Sequence, residues 1–267
     1  MFTIFWRTIK DRKISLIIYC LAAVLFLWMY VAMFPSIQGQ SEAFTKAYES
    51  FPEAFYEAFG IEELNISTIE NFLAIEHFSM IWPIMAIIML MAIGGTGIAG
   101  EIERGTAEIL LSRPVSRLKL FFARYSVGLF SLLVFTIVSI FAIVPLAELH
   151  NVDYILENFV SVAIISFLFG WAVLSVAMLF SVFFSERSRV YMVSGGILLV
   201  MYVLSIVAAL RENLNNLRYL SFFHYYNYND ALIRHTIDST DVFVFIGVIV
   251  VCTVIAAIWF KKRDIAV

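Results

Sequence analysis

The 267-residue chain is 62% hydrophobic and only 15% charged, against about half apolar and a quarter charged in soluble globular proteins. The excess falls in long uninterrupted runs, which excludes a soluble single-core protein and indicates a polytopic membrane protein. The net charge of −3 is small, so the distribution of charge carries the information. Cys20 and Cys252 both fall in apolar runs and read as small hydrophobes, with no disulfide framework or metal site.

At the start, Phe2, Phe5, Trp6 and Ile9 stand at i, i+3, i+4 and i+7, with Arg7, Lys10, Arg12 and Lys13 between them. This predicts an amphipathic helix over 1–13 lying in the membrane interface. A plain basic flank of the first span is the simpler alternative. No small-residue cleavage pattern follows the first apolar run, which reads as a retained span and not a signal peptide.

Six transmembrane helices are predicted: Ile14–Met33, Phe78–Gly100, Tyr125–Ala147, Phe159–Phe184, Val190–Leu210 and Val242–Phe260. Each is long enough to cross about 30 Å of hydrocarbon. Trp28, Tyr30 and Trp82 are expected at one interface, and Tyr125, Trp259 and Phe260 at the other. With the N-terminus inside, 14 of the 18 Lys and Arg residues fall in cytoplasmic pieces and 4 outside. That bias predicts cytoplasmic N- and C-termini in a multi-pass protein of the cell membrane, a prokaryotic plasma membrane. The acidic residues divide the other way, 15 outside and 6 inside.

Two external segments exceed simple connectors. Residues 34–77 carry eight glutamates and one lysine. Phe44, Tyr48, Phe51, Phe55 and Phe59 recur there at helical spacing, with Pro52 as a kink. Residues 211–241 include Tyr219, Phe222, Phe223, Tyr225, Tyr226 and Tyr228. So aromatic a segment either lies in the interface or dips between spans five and six. These six rings are candidate external gate or substrate contacts.

The central charged stretch, 101–124, has internal order. Glu101 and Arg104 are three apart, Arg104 and Glu108 four apart, spacings that meet on one helical face. Ala107, Leu110 and Leu111 form an apolar face on the same predicted helix. Pro114 ends it, and Ser116 is the expected N-cap of the next helix, which enters the membrane through Leu118, Leu120 and Phe121. A helix, a break and a helix on the cytoplasmic side suit contact with a partner. Just before it, Gly94, Gly95, Gly97 and Gly100 fit close helix packing, or alternatively a hinge.

Intrinsic chemistry is sparse. There is no Gly-x-x-x-x-Gly-Lys-[Ser/Thr], and none of the six lysines follows a glycine, so the chain lacks a P-loop. His-Glu-x-x-His and Gly-x-Ser-x-Gly are also absent. His77, His150, His224 and His235 fall in external segments or at span edges, where a satisfied polar group outweighs a metal ligand. The predicted spans hold no Asp, Glu, Lys, Arg or His, which counts against an ion-coupled transporter, a proton pump or a voltage sensor.

The stretch Ala99-Gly100-Glu101-Ile102-Glu103-Arg104-Gly105-Thr106-Ala107-Glu108-Ile109-Leu110-Leu111-Ser112-Arg113-Pro114-Val115-Ser116-Arg117 resembles the signature of type-2 ATP-binding-cassette (ABC) transporter permeases. The interfacial helix, six spans and aromatic segment before span six also fit that plan, so the resemblance covers the whole chain as one permease domain, 1–267. The long acidic region 34–77 departs from it. The resemblance implies an all-α exporter half that pairs with a second permease copy or paralogue and with separate ABC ATPase subunits. ATP and magnesium would be held by the ATPase, with no cofactor in this chain, no enzymatic activity of its own and no nucleic-acid partner. It also implies that Glu101, Glu103, Arg104, Gly105, Thr106, Ala107, Glu108, Leu110, Leu111, Pro114, Ser116 and Arg117 form the ATPase-coupling element. Spans without charged groups favour a hydrophobic or amphipathic cargo. Three other readings remain at this point: export of a small ion such as sodium, a membrane enzyme acting on lipid head groups, and a sensory or immunity protein that binds a ligand through the acidic segment.

Overall fold

A computed structural model describes residues 2–40, 66–107 and 116–263. Every regular element among them is helical. In chain order these are α1 (Phe2–Gln38), α2 (Ile69–Leu73), a π-helical turn (Ala74–Phe78), α3 (Ile81–Gly97), α4 (Ala99–Glu103), α5 (Arg117–Phe141), α6 (Ile143–His150), α7 (Leu156–Phe183) and α8 (Arg187–Leu210). A 3-10 helix (Glu212–Leu220), α9 (Phe222–Tyr225), α10 (Tyr228–Ile233) and α11 (Ser239–Lys262) follow.

Five helical stretches are long and apolar enough to cross a membrane, and a bent pair makes a sixth. With the bent pair counted as one span, these stretches correspond to the six expected ones, with three differences. First, α1 runs unbroken from Phe2 to Gln38, so residues 2–13 form its first turns and not a separate interfacial helix. Second, the second span begins earlier than Phe78 and is bent by 42° between Ile69–Phe78 and Ile81–Gly97. The π-turn lies at this bend, and Met80, which precedes α3, has φ −141. Third, the third span runs through α6 to His150, where Asn151 at φ 53 closes it. The amide of Val152 donates back to the Ala147 carbonyl there at 2.9 Å, a left-handed helix cap.

Successive spans alternate in direction, so the molecule has two polar ends. One carries the start of α1, the α4 turn, the α7–α8 junction and the end of α11, and is rich in Lys and Arg. The other carries the 38–69 and 150–156 connections and the 211–238 segment. The core lies around α7, which packs against α3, α5 and α11. Fully buried Phe135, Phe159, Phe169 and Phe245 fill it.

Glycine decides how closely helices approach here. A Cβ on Gly94 would sit 2.5 Å from the Ala177 Cβ, and one on Gly128 would sit 2.7 Å from Leu174. Of the packing and hinge readings for the glycines near the end of α3, close packing is what the structure contains at Gly94.

Aromatic placement departs from expectation at three positions, one of them Phe260, which is buried against Phe121 at 6.5 Å and not interfacial. Trp82 is fully buried, not interfacial, and its Nε1–H donates to Ser139 Oγ at 2.9 Å. Tyr125 is also buried. Its hydroxyl meets Ser175 Oγ at 2.7 Å and accepts from Trp171 Nε1 at 2.8 Å and Thr253 Oγ1 at 3.0 Å. This polar knot joins α5, α7 and α11, and a buried phenol needs such partners.

The helical rhythm expected over Phe44–Phe59 lies outside the described residues. So do Glu108, Leu110, Leu111 and Pro114.

Candidate functional site

The signature stretch begins where the main-chain ladder breaks. Ile98 interrupts the helix between α3 and α4, and a break inside a packed bundle would leave amides unpaired. Ser181 on α7 resolves this: its Oγ accepts from the amides of Ile98 at 3.0 Å and Ala99 at 3.1 Å. The chain then makes α4, whose two glutamates point to different helices.

Glu101 Oε1 accepts from Arg124 Nη2 at 2.6 Å, with both side chains about nine-tenths buried or a little less (15% and 13% exposed). Its Oε2 accepts from Thr106 Oγ1 at 2.5 Å. Arg124 also donates from Nη1 to Thr8 Oγ1 on α1 at 2.6 Å. Glu101 thereby links the turn, α5 and α1. Glu103 Oε2 accepts from the Arg187 amide at 3.0 Å and from Arg187 Nε at 2.8 Å. It therefore neutralises an orphan amide at the start of α8, where a carboxylate is favoured by the helix dipole. Hydrogen bonds from the Arg187 side chain and backbone hold the Glu103 carboxyl below its ordinary pKa.

The expected single helix running from Glu101 through Arg104 is interrupted within the described residues, and its Glu108 lies outside them. Helix α4 ends at Glu103, and Gly105 takes φ +67 with open space where a Cβ would be. That left-handed residue turns the chain out of the helix. Glu101 therefore pairs with Arg124 and Thr106 across the fold, not with its neighbour Arg104. Arg104 and Gly105 are exposed at the tip, while Ala107 is buried within this chain at 4% exposure.

The return helix starts as its sequence predicts. Ser116 caps α5, its Oγ accepting from the Lys119 amide at 3.3 Å. Arg117 donates to the Arg263 carbonyl. Arg263 in turn donates from Nη1 to the Val182 and Phe184 carbonyls at 2.6 and 3.0 Å and from Nη2 to Ser185 Oγ at 2.7 Å. A guanidinium at a helix C-terminus satisfies carbonyls that the helix leaves free. Ser181 and Arg263 carry no motif of their own; only the fold brings them to the turn.

At the opposite end the aromatic segment is drawn into the bundle. Phe222, Tyr226 and Tyr228 are buried, Phe223 and Tyr225 are half-buried, and Tyr219 is exposed. The Tyr226 ring lies 4.8 Å from Phe169 and stacks on Trp82 at 6.4 Å. Its hydroxyl meets Ser166 Oγ at 3.0 Å, and burial raises its pKa. Phe223 packs on Phe169 at 5.5 Å and on Tyr202 at 5.1 Å. Of the two readings for this segment, packing between spans describes Phe222 and Tyr226, while Phe223 and Tyr225 are partly open and Tyr219 is exposed.

Three ionisable groups near this end are more buried than expected for external residues: Glu70, His77 and Asp241. Glu70 Oε1 accepts from the Ile155 amide at 2.7 Å, capping α7. His77 has no hydrogen-bond partner at either ring nitrogen among the described residues, contrary to the expectation of a satisfied polar group. Its ring makes edge contacts with Tyr30 at 5.8 Å and Phe78 at 5.1 Å. His150 accepts from Trp28 Nε1 at 3.1 Å, and His235 Nδ1 meets Ser161 Oγ at 2.8 Å.

No curated protein matches the chain. The family described as ABC-2 family transporter protein matches residues 2–265, which takes in every span and both polar ends. The chain therefore belongs to the ABC-2 family of transporter proteins and is a multi-pass membrane permease subunit.

Proposed function

We propose that this permease is one half of an ATP-driven exporter of hydrophobic or amphipathic molecules, such as a drug, a peptide antibiotic or a lipid-like compound. The Lys/Arg-rich end faces the cytoplasm, by the charge bias of membrane proteins. Both termini then lie inside, in the cell membrane. Separate ABC ATPase subunits bind ATP and magnesium and dock at the turn around Arg104, with residues 108–115 completing the coupling element. A second permease copy or paralogue completes the path.

The observation that carries this reading is the bracing of the α4 turn. Glu101, Glu103 and Ser181 tie that turn to α1, α5, α7 and α8. Force applied at an exposed tip is transmitted only if the tip is fixed to the spans, and this one is fixed to four of them. The middle stretches 81–97, 125–147, 159–183, 190–210 and 242–260 carry no Asp, Glu, Lys or Arg to compensate a desolvated ion, and Glu70, in the outer half of the bent second span, is committed to the Ile155 amide. That favours an apolar or amphipathic cargo over sodium. Half-buried and exposed rings at the far end, Phe223, Tyr225 and Tyr219, suit contact with such a cargo as it leaves.

The test is reconstitution with the cognate ATPase in vesicles, measuring ATP hydrolysis and transport against lipids, amphipathic peptides or drugs, and sodium. Stimulation and transport by an amphipathic compound, weakened in Phe223→Ala and Tyr225→Ala, is expected. Transport of sodium alone, unaffected by those changes, would establish an ion exporter instead.

A further inference from the structure

A cavity of about 710 Å³ opens at the basic end. Its walls come from α1, α3, α5, the α4 turn and the first turn of α8. Walls α1 and α8 do not pack along one another, so the cavity is a cleft between two spans and not a sealed hole.

The lining divides by chemistry. The basic part of the lining is Arg7, Arg12, Arg104 and Arg124. Only Asp11 and Glu101 oppose them there, leaving an excess of two positive charges. Further along α1 and α3, Leu16, Tyr19, Met89, Ala92 and Ile93 supply a mainly apolar wall, interrupted by Ser15, Thr96 and Ser131. Met89 to Thr96 covers about 10 Å along α3 at the usual rise per residue. Beside the cleft, α1 exposes Ile14, Ile17, Ile18 and Leu21, and α8 exposes Met192.

The positive groups act on one another. Arg12 feels the repulsive charges of Arg124 and Arg104, with Glu101 as partial compensation. Glu101 is already committed to Arg124 and Thr106. The buried Nε of Arg124 has no acceptor among the described residues. Two largely desolvated guanidiniums, Arg12 and Arg124, beside the exposed Arg7 and Arg104 call for an anion, and guanidinium matches phosphate in geometry as well as charge.

We propose that this cleft binds an amphiphile whose phosphate headgroup is net negative, with the phosphate among Arg12, Arg104 and Arg124 and the apolar tail along Leu16, Met89 and Ile93. The assignment goes beyond the exporter reading and does not rest on it, since binding requires neither ATPase nor transport. Free phosphate shares the headgroup chemistry but would gain nothing from the apolar wall.

The test is native mass spectrometry of the full chain in mild detergent, titrated with phosphatidylglycerol or phosphatidylcholine. Preferential, saturable binding of phosphatidylglycerol is expected. The Arg12→Gln/Arg104→Gln variant should lower its apparent affinity at least about tenfold, the scale of one lost charge-assisted contact. Arg189→Gln, on the same end but outside the cleft, should leave it unchanged. Ala92→Phe, which fills the apolar wall and keeps every charge, should weaken binding too, and it decides the matter if the double variant does not fold. Equal binding of both lipids, or undiminished phosphatidylglycerol binding in whichever of these variants folds, overturns the proposal. Displacement of the lipid by millimolar inorganic phosphate also overturns it, because the site would then take a free anion and not an amphiphile.

Discussion

Arg124 donates from Nη2 to Glu101 Oε1 at 2.6 Å, across 23 residues of chain. With Nη1 it holds Thr8 on α1 at 2.6 Å. One guanidinium thus joins the first span, the third span and the turn after the second. Removing Glu101 leaves it largely buried with a lost acceptor. Glu101→Ala should destabilise the purified permease by about 1–3 kcal/mol. A thermal-unfolding series in detergent on Glu101→Ala, Arg124→Ala and the double variant reads the coupling. Strict additivity of the two single effects would show that the pair contributes nothing.

Glu103 has a different signature, in pH. Its carboxyl is held below the ordinary range by hydrogen bonds from Arg187. A depressed folded-state pKa contributes stability that is present above the unfolded value, near 4.5, and is lost as pH falls through the folded value. The melting temperature of the wild type minus that of Glu103→Gln should therefore be positive at neutral pH and shrink as pH drops below that range. A difference independent of pH would rule out the ionised contact.

Close packing at α3 and α7 gives a contrast between two glycines. A methyl on Gly94 meets Ala177 at 2.5 Å, whereas one on Gly196 meets nothing within 4 Å. Gly94→Ala should cost about 1–3 kcal/mol through overpacking. Gly196→Ala should be neutral or gain up to about 1 kcal/mol from helix propensity. Equal responses of the two in a thermal-shift assay would mean that α3 and α7 are not in this contact.

Tyr226 reports whether the aromatic segment is a packed part of the bundle. Tyr226→Phe should lose about 0.5–1.5 kcal/mol with the Ser166 bond, and Tyr226→Ala about 3–5 kcal/mol with the cavity it leaves. Tyr219→Ala, at an exposed position, should change stability little. If Tyr226→Ala melts like wild type, the segment sits outside the bundle.

The sequence shows which runs span the membrane because hydrophobic length is a local property. It also shows the Ser116 cap, since a cap is decided within four residues. Partners across the fold are not local. Arg104 stands at the right spacing to pair with Glu101, yet the left-handed turn at Gly105 ends the helix and Arg124 takes the contact. Ser181 is one serine among many until Ile98 is seen to break beside it. Trp82 and Tyr125 match an interfacial composition, but Ser139 and Ser175, on other spans, give each a buried partner. The bend at the π-turn has no composition signal, and it moves Glu70 and His77 into the broken span.

The exposed tip at Arg104 offers the most direct test of an ATPase-coupled permease. A photo-crosslinking amino acid is placed there, and another at Asp238 on the opposite end, in cells that also produce the ABC ATPase. The expected result is an adduct with the ATPase from position 104 and none from position 238. No ATPase adduct at 104, with protein that is inserted and intact, or an adduct from 238 instead, would contradict docking at this turn.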